Sequence, residues 1–340
     1  MDFTGLNRFN AYKINRPLSD EERAESLDTN RSEELDPFDW LSTIKLNSAY
    51  MELVDRWYPW KGFSSWLGII FFAPLLFSIV TVVLLMFEKN ELSVWFAGSF
   101  IVFLFSLCAC LFAWVISMDA FRMTHYPVRL NRKGRKVYAY RPDGSVIRAD
   151  WDSLFLCRVK NKLTIGQVSF DIRAHVLDES GEVVKETFTL GCPCLGGAND
   201  ALQFWEYVRI YMEDPDGLEK VQDGVGMLLP IDGRREGFSF GVVRVFASTA
   251  NHPFVQLLAS PIAALTILGR WFAMYTCKVP RWPDEIEAAC PVDPDDPYQK
   301  DWRDNGKYDF REFGWPLICF FVGLGVLGVG LTFLVRELLA

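Results

Sequence analysis

Three windows of the chain are almost free of charge: Ser65 to Phe87, Val94 to Met118 and Trp315 to Val335. At about 1.5 Å of rise per residue, each reaches across a hydrocarbon core of about 30 Å, and a helix buried in a soluble core has no need to be apolar all round. They read as transmembrane helices. A fourth apolar stretch, PFVQLLASPIAALTILGRWFAMYTC from Pro253 to Cys277, is broken by Pro261 and Arg270. Its uncharged run only reaches the shortest usual span of about 17 residues, so the expectation is a helix packed on a cytoplasmic domain or lying in the interface. The alternative, a true span, would put the C-terminus inside.

From Tyr126 the pattern changes to short alternating segments. PVRLNRKGRKVYAY predicts two strands around the turn Asn131 to Gly134, and Arg141-Pro142-Asp143-Gly144 is a second turn. Further strands follow from Ser145, from Trp151, over VSFDIRAHVL and over VVKETFTL, six in all. After Gly196-Gly197, Asn199 is a suitable N-cap for DALQFWEYVRIYMED, whose Ala201, Phe204, Trp205, Val208 and Tyr211 share one stripe. Before the first span, Leu41, Ile44, Leu46, Met51, Leu53 and Val54 suggest a short amphipathic helix.

The predicted fold class is therefore membrane α+β: three transmembrane helices with a cytoplasmic antiparallel β-sandwich or barrel closed by a helix. The expected divisions are an N-terminal arm (1–63), a transmembrane hairpin (64–118), a β domain with its helix (119–217), a helical or irregular region (218–314) holding the apolar helix at 253–277, and a C-terminal transmembrane helix (315–340).

Charge sets the orientation. The connection Glu88 to Ser93 carries one positive charge, whereas Lys45, Arg56 and Lys61 precede the first span and Arg122, Arg129, Arg132, Lys133, Arg135 and Lys136 follow the second. Cytoplasmic flanks are enriched in Lys and Arg, so both long flanks and the N-terminus are expected inside and the tail RELLA outside. Trp57, Tyr58, Trp60, Trp66 and Trp315 suit the membrane interface. No removable signal peptide is visible, which leaves the first span as the insertion signal.

The basic run Arg129, Arg132, Lys133, Arg135 and Lys136 has two readings: topology determination alone, or attraction of membrane lipids or an acidic partner, at about 1 kcal/mol per charge near the surface. A net charge of −8 argues against nucleic acid as a partner. Gly323 to Gly328 fits a dinucleotide-binding pattern but lies inside a span, so Gly323, Gly325, Gly328 and Gly330 read as helix-packing positions, within the chain or in a homo-oligomer. Asp293, Asp295, Asp296, Asp301 and Asp304 lack calcium-loop spacing and read as a solvated acidic loop or a dock for basic residues.

Eight cysteines suggest no disulfide framework, and Cys192-Pro-Cys194 has one residue too few between its thiols for a zinc knuckle. His125, His175 and His252 belong to no metal array, and neither a nucleophile elbow nor a P-loop is present. The expectation is a non-enzyme without cofactor or metal.

Two resemblances add to this. A β-meander closed by an amphipathic helix after a pair of spans resembles the bacterial pleckstrin-homology-like domains of small membrane proteins, over residues 126–213. More specifically, YPVRLNRKGRKVYAYRPDGSVIRADWDSLF and GRWFAMYTCKVPRWPDEIEAACPVDPDDPY resemble an uncharacterised family of proteobacterial membrane proteins found beside type VI secretion effector genes. That resemblance implies an inner-membrane immunity protein with a secreted protein effector as partner. An accessory or sensor protein recruiting a partner or lipid headgroup through its β domain is the alternative.

Overall fold

The computed structural model describes residues 4–6, 11–162 and 168–339. Ala340, the end of the tail RELLA, lies outside them, as do residues 1–3 and 7–10 of the arm. The strands are β1 (Arg16–Pro17), β2 (Thr43–Leu46), β3 (Tyr50–Leu53), β4 (Val128–Asn131), β5 (Lys136–Tyr140), β6 (Val146–Asp150), β7 (Leu154–Lys162), β8 (Val168–Leu177) and β9 (Val183–Cys194). The helices up to the end of the strand region are α1 (Asp20–Ala24), α2 (Phe63–Lys89), α3 (Leu92–Ser117) and α4 (Ala198–Glu213). Beyond it come α5 (Gly217–Lys220), α6 (Phe238–Phe246), α7 (Pro253–Leu258), α8 (Ser260–Thr276), α9 (Asp284–Ala289) and α10 (Trp315–Leu339). They divide into two compact units, a β unit of residues 1–59, 123–236 and 279–307 and a helical unit of residues 60–122, 237–278 and 308–340.

In the β unit, two antiparallel sheets run in the orders β2-β3-β4-β5-β6 and β1-β9-β8-β7. The six strands expected after Tyr126 are all present, and their inward residues share one core with α4. Leu53, Leu130, Val137, Leu190, Phe204 and Trp205 belong to that core, and Trp151 stacks on Trp205 at 6.3 Å. Helix α4 starts two residues earlier than its side chains suggest: Gly197 is the N-cap, and Asn199 lies inside the first turn.

The amphipathic helix expected around residues 41–54 is instead the hairpin β2–β3. Ile44 and Leu46, then Met51 and Leu53, are all buried at a period of two, which a strand satisfies and a helix does not. Asn47 makes the turn, its Oδ1 accepting from the amides of Ala49 (2.9 Å) and Tyr50 (2.8 Å). Strand β3 pairs with β4, placing Glu52 opposite Arg129.

The arm straps the four-stranded sheet. β1 extends it beside β9, and beyond α1 the chain bonds to the opposite edge, where Leu27 N donates to Leu156 O (2.8 Å) and Arg158 N to Glu25 O (3.0 Å). A capping box of Ser19 and Glu22 starts α1.

The helical unit holds α2, α3 and α10, the three helices among the described residues that are long and apolar enough to cross a membrane. Their outward faces carry Phe77, Leu84, Phe96, Phe103 and Phe333, all more than 60 % exposed. An apolar surface of that extent in water would drive association, so these faces belong against lipid and the chain is a membrane protein. Small residues let the spans approach: a methyl group on Gly68 would lie 2.5 Å from Ile116 Cγ1, and one on Gly98 would lie 2.5 Å from Met86 Sδ.

Asp119, just beyond α3, closes the hairpin. Its Oδ2 accepts from the amides of Gly62 (3.1 Å), Ser64 (2.8 Å) and Ser65 (3.2 Å), the orphan donors at the start of α2. Gly62 has φ +97, and a side chain there would collide with the backbone of Arg270. The apolar stretch 253–277 is two helices, α7 and α8, and α8 packs against α2 and α10.

On α10 the four glycines differ. A methyl group at Gly323 would lie 2.1 Å from the carbonyl oxygen of Ser260, whereas Gly325, Gly328 and Gly330 meet nothing within 4 Å. Gly323→Leu should therefore lower the melting temperature of the detergent-solubilised protein, by separating α10 from α8, and Gly328→Leu should leave it unchanged. Equal melting temperatures for the two variants would contradict this packing.

Candidate functional site

The five basic residues read from the sequence lie on β4, β5 and the turn between them, and the structure uses them in different ways. Arg129, in β4, is completely buried. Its guanidinium donates to Glu52 (Nε 3.0 Å, Nη2 2.9 Å) and to Glu287 of α9 (3.2 and 3.1 Å), between the rings of Tyr50 (4.1 Å) and Trp282 (4.9 Å). Trp282 Nε1 donates to the same Glu52 oxygen at 3.0 Å. A charge taken out of water needs this kind of enclosure, with two carboxylates and two π faces replacing its hydration. Burial favours the neutral guanidine, but Glu52 and then Glu287 outweigh it and hold Arg129 charged.

Arg132 and Arg135 close the C-terminus of α4. Arg132 donates to the carbonyls of Tyr211 and Asp214, and Arg135 donates to Met212 O (3.3 Å) while binding Asp152 and Glu213. These carbonyls lack partners inside the helix and carry the negative end of its dipole. Lys136 pairs with Asp150 across β5 and β6, which leaves Lys133 facing solvent. The run is thus one clamp, two helix caps, one cross-strand pair and one exposed ammonium.

The clamp holds the segment 279–301 on the five-stranded sheet. Further along that segment, Lys300 exchanges backbone hydrogen bonds with Leu46 (3.0 and 2.8 Å), adding a rung beside β2. The acidic residues here are used by the backbone: Asp296 accepts from Ser48 N (2.7 Å) and Tyr298 N (2.9 Å), and Asp301 caps the turn that follows. No group of three or more His, Cys, Asp or Glu suited to a metal ion occurs among the described residues.

Between this segment and the β2–β3 turn lies a cleft of about 150 Å³ lined by Lys45, Asn47, Tyr50, Asp232, Asp293 and Lys300. Lys45 bonds Asp232 at 2.9 Å and lies 5.4 Å from the centre of the Tyr50 ring. With Gln299 and Asp301 also in the lining, two ammonium groups, three carboxylates and two side-chain amides suit recognition of a polar surface group.

Several of the remaining reactive side chains are buried. Burial pushes the Cys157 thiol up to about 12 and also raises Cys194 and Cys290, so none is a thiolate near neutrality. His175 is fully buried in β8, bonded through Nδ1 to Thr187 Oγ1 (2.8 Å), with Nε2 3.3 Å from Glu22 Oε1 of the strap. Burial pushes Glu22 up, but bonds from Arg16 and Ser19 outweigh it and hold the carboxyl at about 2. His175 is pushed down to about 4 by burial, against the opposing pull of Glu22. His125 bonds Thr124 (3.0 Å), and His252 precedes α7 in the helical unit.

Sequence reading found Arg129 but not Glu52, Glu287, Tyr50 or Trp282, and it missed the pairing of Glu22 with His175. The two-residue spacing of the apolar pairs Ile44 and Leu46, then Met51 and Leu53, was the signal that could have revealed the hairpin that carries Glu52.

Two outcomes follow from these contacts. Glu52→Leu should destabilise the protein by about 3–5 kcal/mol, and adding Arg129→Met should restore much of that loss, because an unpaired buried charge costs more than an absent pair; chemical denaturation would measure both. Next, an unfolded chain protonates His175 near pH 6.5 but the folded one only near 4. Stability should hold above pH 6.5 and fall between 6.5 and 4, by on the order of 3 kcal/mol. Below about pH 4.5 the depressed carboxyl of Glu22 adds to the loss as the pH falls toward 2. His175→Gln should flatten the upper window, and melting curves from pH 7.5 to 4 would show whether it does.

A family model described as a family of unknown function (DUF6708) matches residues 105–294. No curated protein and no solved structure matches the chain. The matched stretch begins inside α3, takes in β4 to β9, α4 and α8, and ends in the segment that Arg129 clamps, covering more than half of the sequence. The chain belongs to this family of unknown function, DUF6708.

Proposed function

We propose that the protein is a non-enzymatic inner-membrane immunity protein, which protects the cell producing it by binding a secreted effector. The resemblance to proteins encoded beside type VI secretion effectors motivates the reading. The observation that carries it is the use of the β unit's ionisable groups. The Arg129, Arg132, Arg135 and Glu22 charges hold the fold together, and the Cys157 and Cys194 thiols are buried and protonated. Such a unit offers a surface with fixed geometry, which suits binding. The mixed-charge cleft of Lys45, Asp232 and Lys300 is the surface feature suited to a protein partner.

In this reading the β unit is a pleckstrin-homology-like domain on the cytoplasmic side. The Lys and Arg excess on both long flanks supports that orientation, and the order of six strands and α4 supports that likeness. A second reading, recruitment of a partner or headgroup by the β domain, draws on Lys133, exposed in the turn between β4 and β5.

Deleting the gene should make cells susceptible to sister cells that deliver the neighbouring effector, and complementation should restore survival. A deletion strain that competes as well as its parent under active secretion would remove the immunity reading in favour of recruitment. Among complementing variants with normal membrane abundance, truncation before Trp315 should impair protection, whereas His252→Ala should not. For topology, a reporter at Asn90 should read as periplasmic and one at Gly217 as cytoplasmic, and the reverse at either position would overturn the orientation.

A further inference from the structure

The N-terminal end of the third span contains a cavity separate from the clamp and the cleft described above. It measures about 480 Å³ and is lined by Ala250, Asn251 and Gln256 from the start of α7 and the turn before it, and by Phe310, Arg311 and Trp315. Arg311 lies in a π-helical turn, Phe310–Gly314, which runs directly into α10 and is started by Asp309, whose side chain accepts from Glu312 N. π-Turns inside helices are uncommon and recur where side chains are positioned for binding.

Three features of the lining point to a ligand. Arg311 is exposed and makes no ion pair among the described residues, although Arg16, Arg56, Arg129, Arg135, Arg141, Arg148 and Arg158 all do. The Trp315 Nε1–H is buried and has no acceptor among the described residues. A buried donor left unsatisfied is destabilising, and a ligand oxygen would remove that penalty. Gln256, only 1 % exposed, directs its amide nitrogen to Phe246 O (3.4 Å) and so brings a fixed polar group to a wall that is otherwise largely apolar.

The depth decides the chemistry. Trp315 opens a span, where indole rings sit at the level of the headgroups, and phosphodiesters occupy that level. A guanidinium and an indole N–H are both donors without acceptor capacity, matched to phosphate oxygens, while Phe310 and Ala250 suit glycerol and the upper acyl chain. Basic pockets beside transmembrane helices bind anionic headgroups in this way. We propose that the cavity of Arg311, Trp315 and Gln256 is a binding site for the headgroup of an anionic phospholipid, the phosphate held by Arg311 and the Trp315 indole N–H. The site is independent of the immunity reading and of the basic run on β4 and β5.

The test uses the full chain in detergent, with bound lipid counted by native mass spectrometry at graded concentrations of phosphatidylglycerol, phosphatidylcholine or inorganic phosphate. One phosphatidylglycerol per chain should be retained more tightly than phosphatidylcholine, and inorganic phosphate should not displace it. Arg311→Gln should weaken retention about tenfold or more, and Trp315→Phe, which keeps an aromatic ring but loses the donor, should weaken it by a smaller factor, about threefold. Arg336→Gln, at the other end of α10, should leave retention unchanged. The proposal fails if Arg311→Gln retains lipid as the parent does, if Arg336→Gln loses it equally, or if phosphatidylcholine binds as tightly. Displacement by free phosphate would mean a soluble anion is the ligand and would equally overturn it. Should Arg311→Gln not fold, Trp315→Phe decides, and unchanged retention in that variant rejects the site.

Discussion

The β unit depends on a pairing between strands that the chain separates by an entire transmembrane hairpin. β3 ends at Leu53 and β4 begins at Val128, with α2 and α3 between them, yet the two are adjacent in the five-stranded sheet. Closing so long an excursion is entropically costly unless its ends are held together. Two local devices hold them. Asp119 caps the first turn of α2 from the end of α3, and the register of β3 on β4 brings Glu52 opposite Arg129. A slip of one residue would turn both charges out of the clamp and every inward side chain out of the core.

Around that register the molecule uses charge mainly as internal structure. Arg129 joins β3, β4 and the α9 segment; Arg132 and Arg135 close α4; Glu22 ties the strap to β8. Exposed ion pairs contribute little, whereas buried ones are costly to break, so the stabilising weight falls on Arg129–Glu52 and on Glu22 rather than on pairs such as Arg148–Glu285.

Much of this architecture was legible in the sequence, for a physical reason. A span or an alternating strand announces itself within about 20 residues, and Ser65 to Phe87, Val94 to Met118 and the six strands after Tyr126 are all elements of that kind. What escaped was non-local. Leu41 to Val54 scattered its apolar residues ambiguously, and only pairing with β4 makes it a hairpin. The basic run looked like a patch because a charge in a sequence carries no sign of its partner, and Glu52, Glu287, Asp152 and Glu213 are distant or unremarkable neighbours. Asn199 lost the cap of α4 to Gly197 because backbone geometry, rather than side-chain chemistry, sets where the helix begins.

The separation of β3 from β4 also imposes an order on biosynthesis. When β3 leaves the ribosome its partner strand is roughly 75 residues away, which at 5–20 residues per second is on the order of 4–15 seconds. Through that interval the β2–β3 hairpin presents unpaired backbone donors and acceptors, and an isolated two-stranded hairpin is marginal in water. Both α2 and α3 must be synthesised before the five-stranded sheet can assemble. A fragment beginning after the second span would keep β4 to β9 but leave β4 as an open edge, a template for self-association, so in this chain the five-stranded sheet needs residues from both sides of the hairpin.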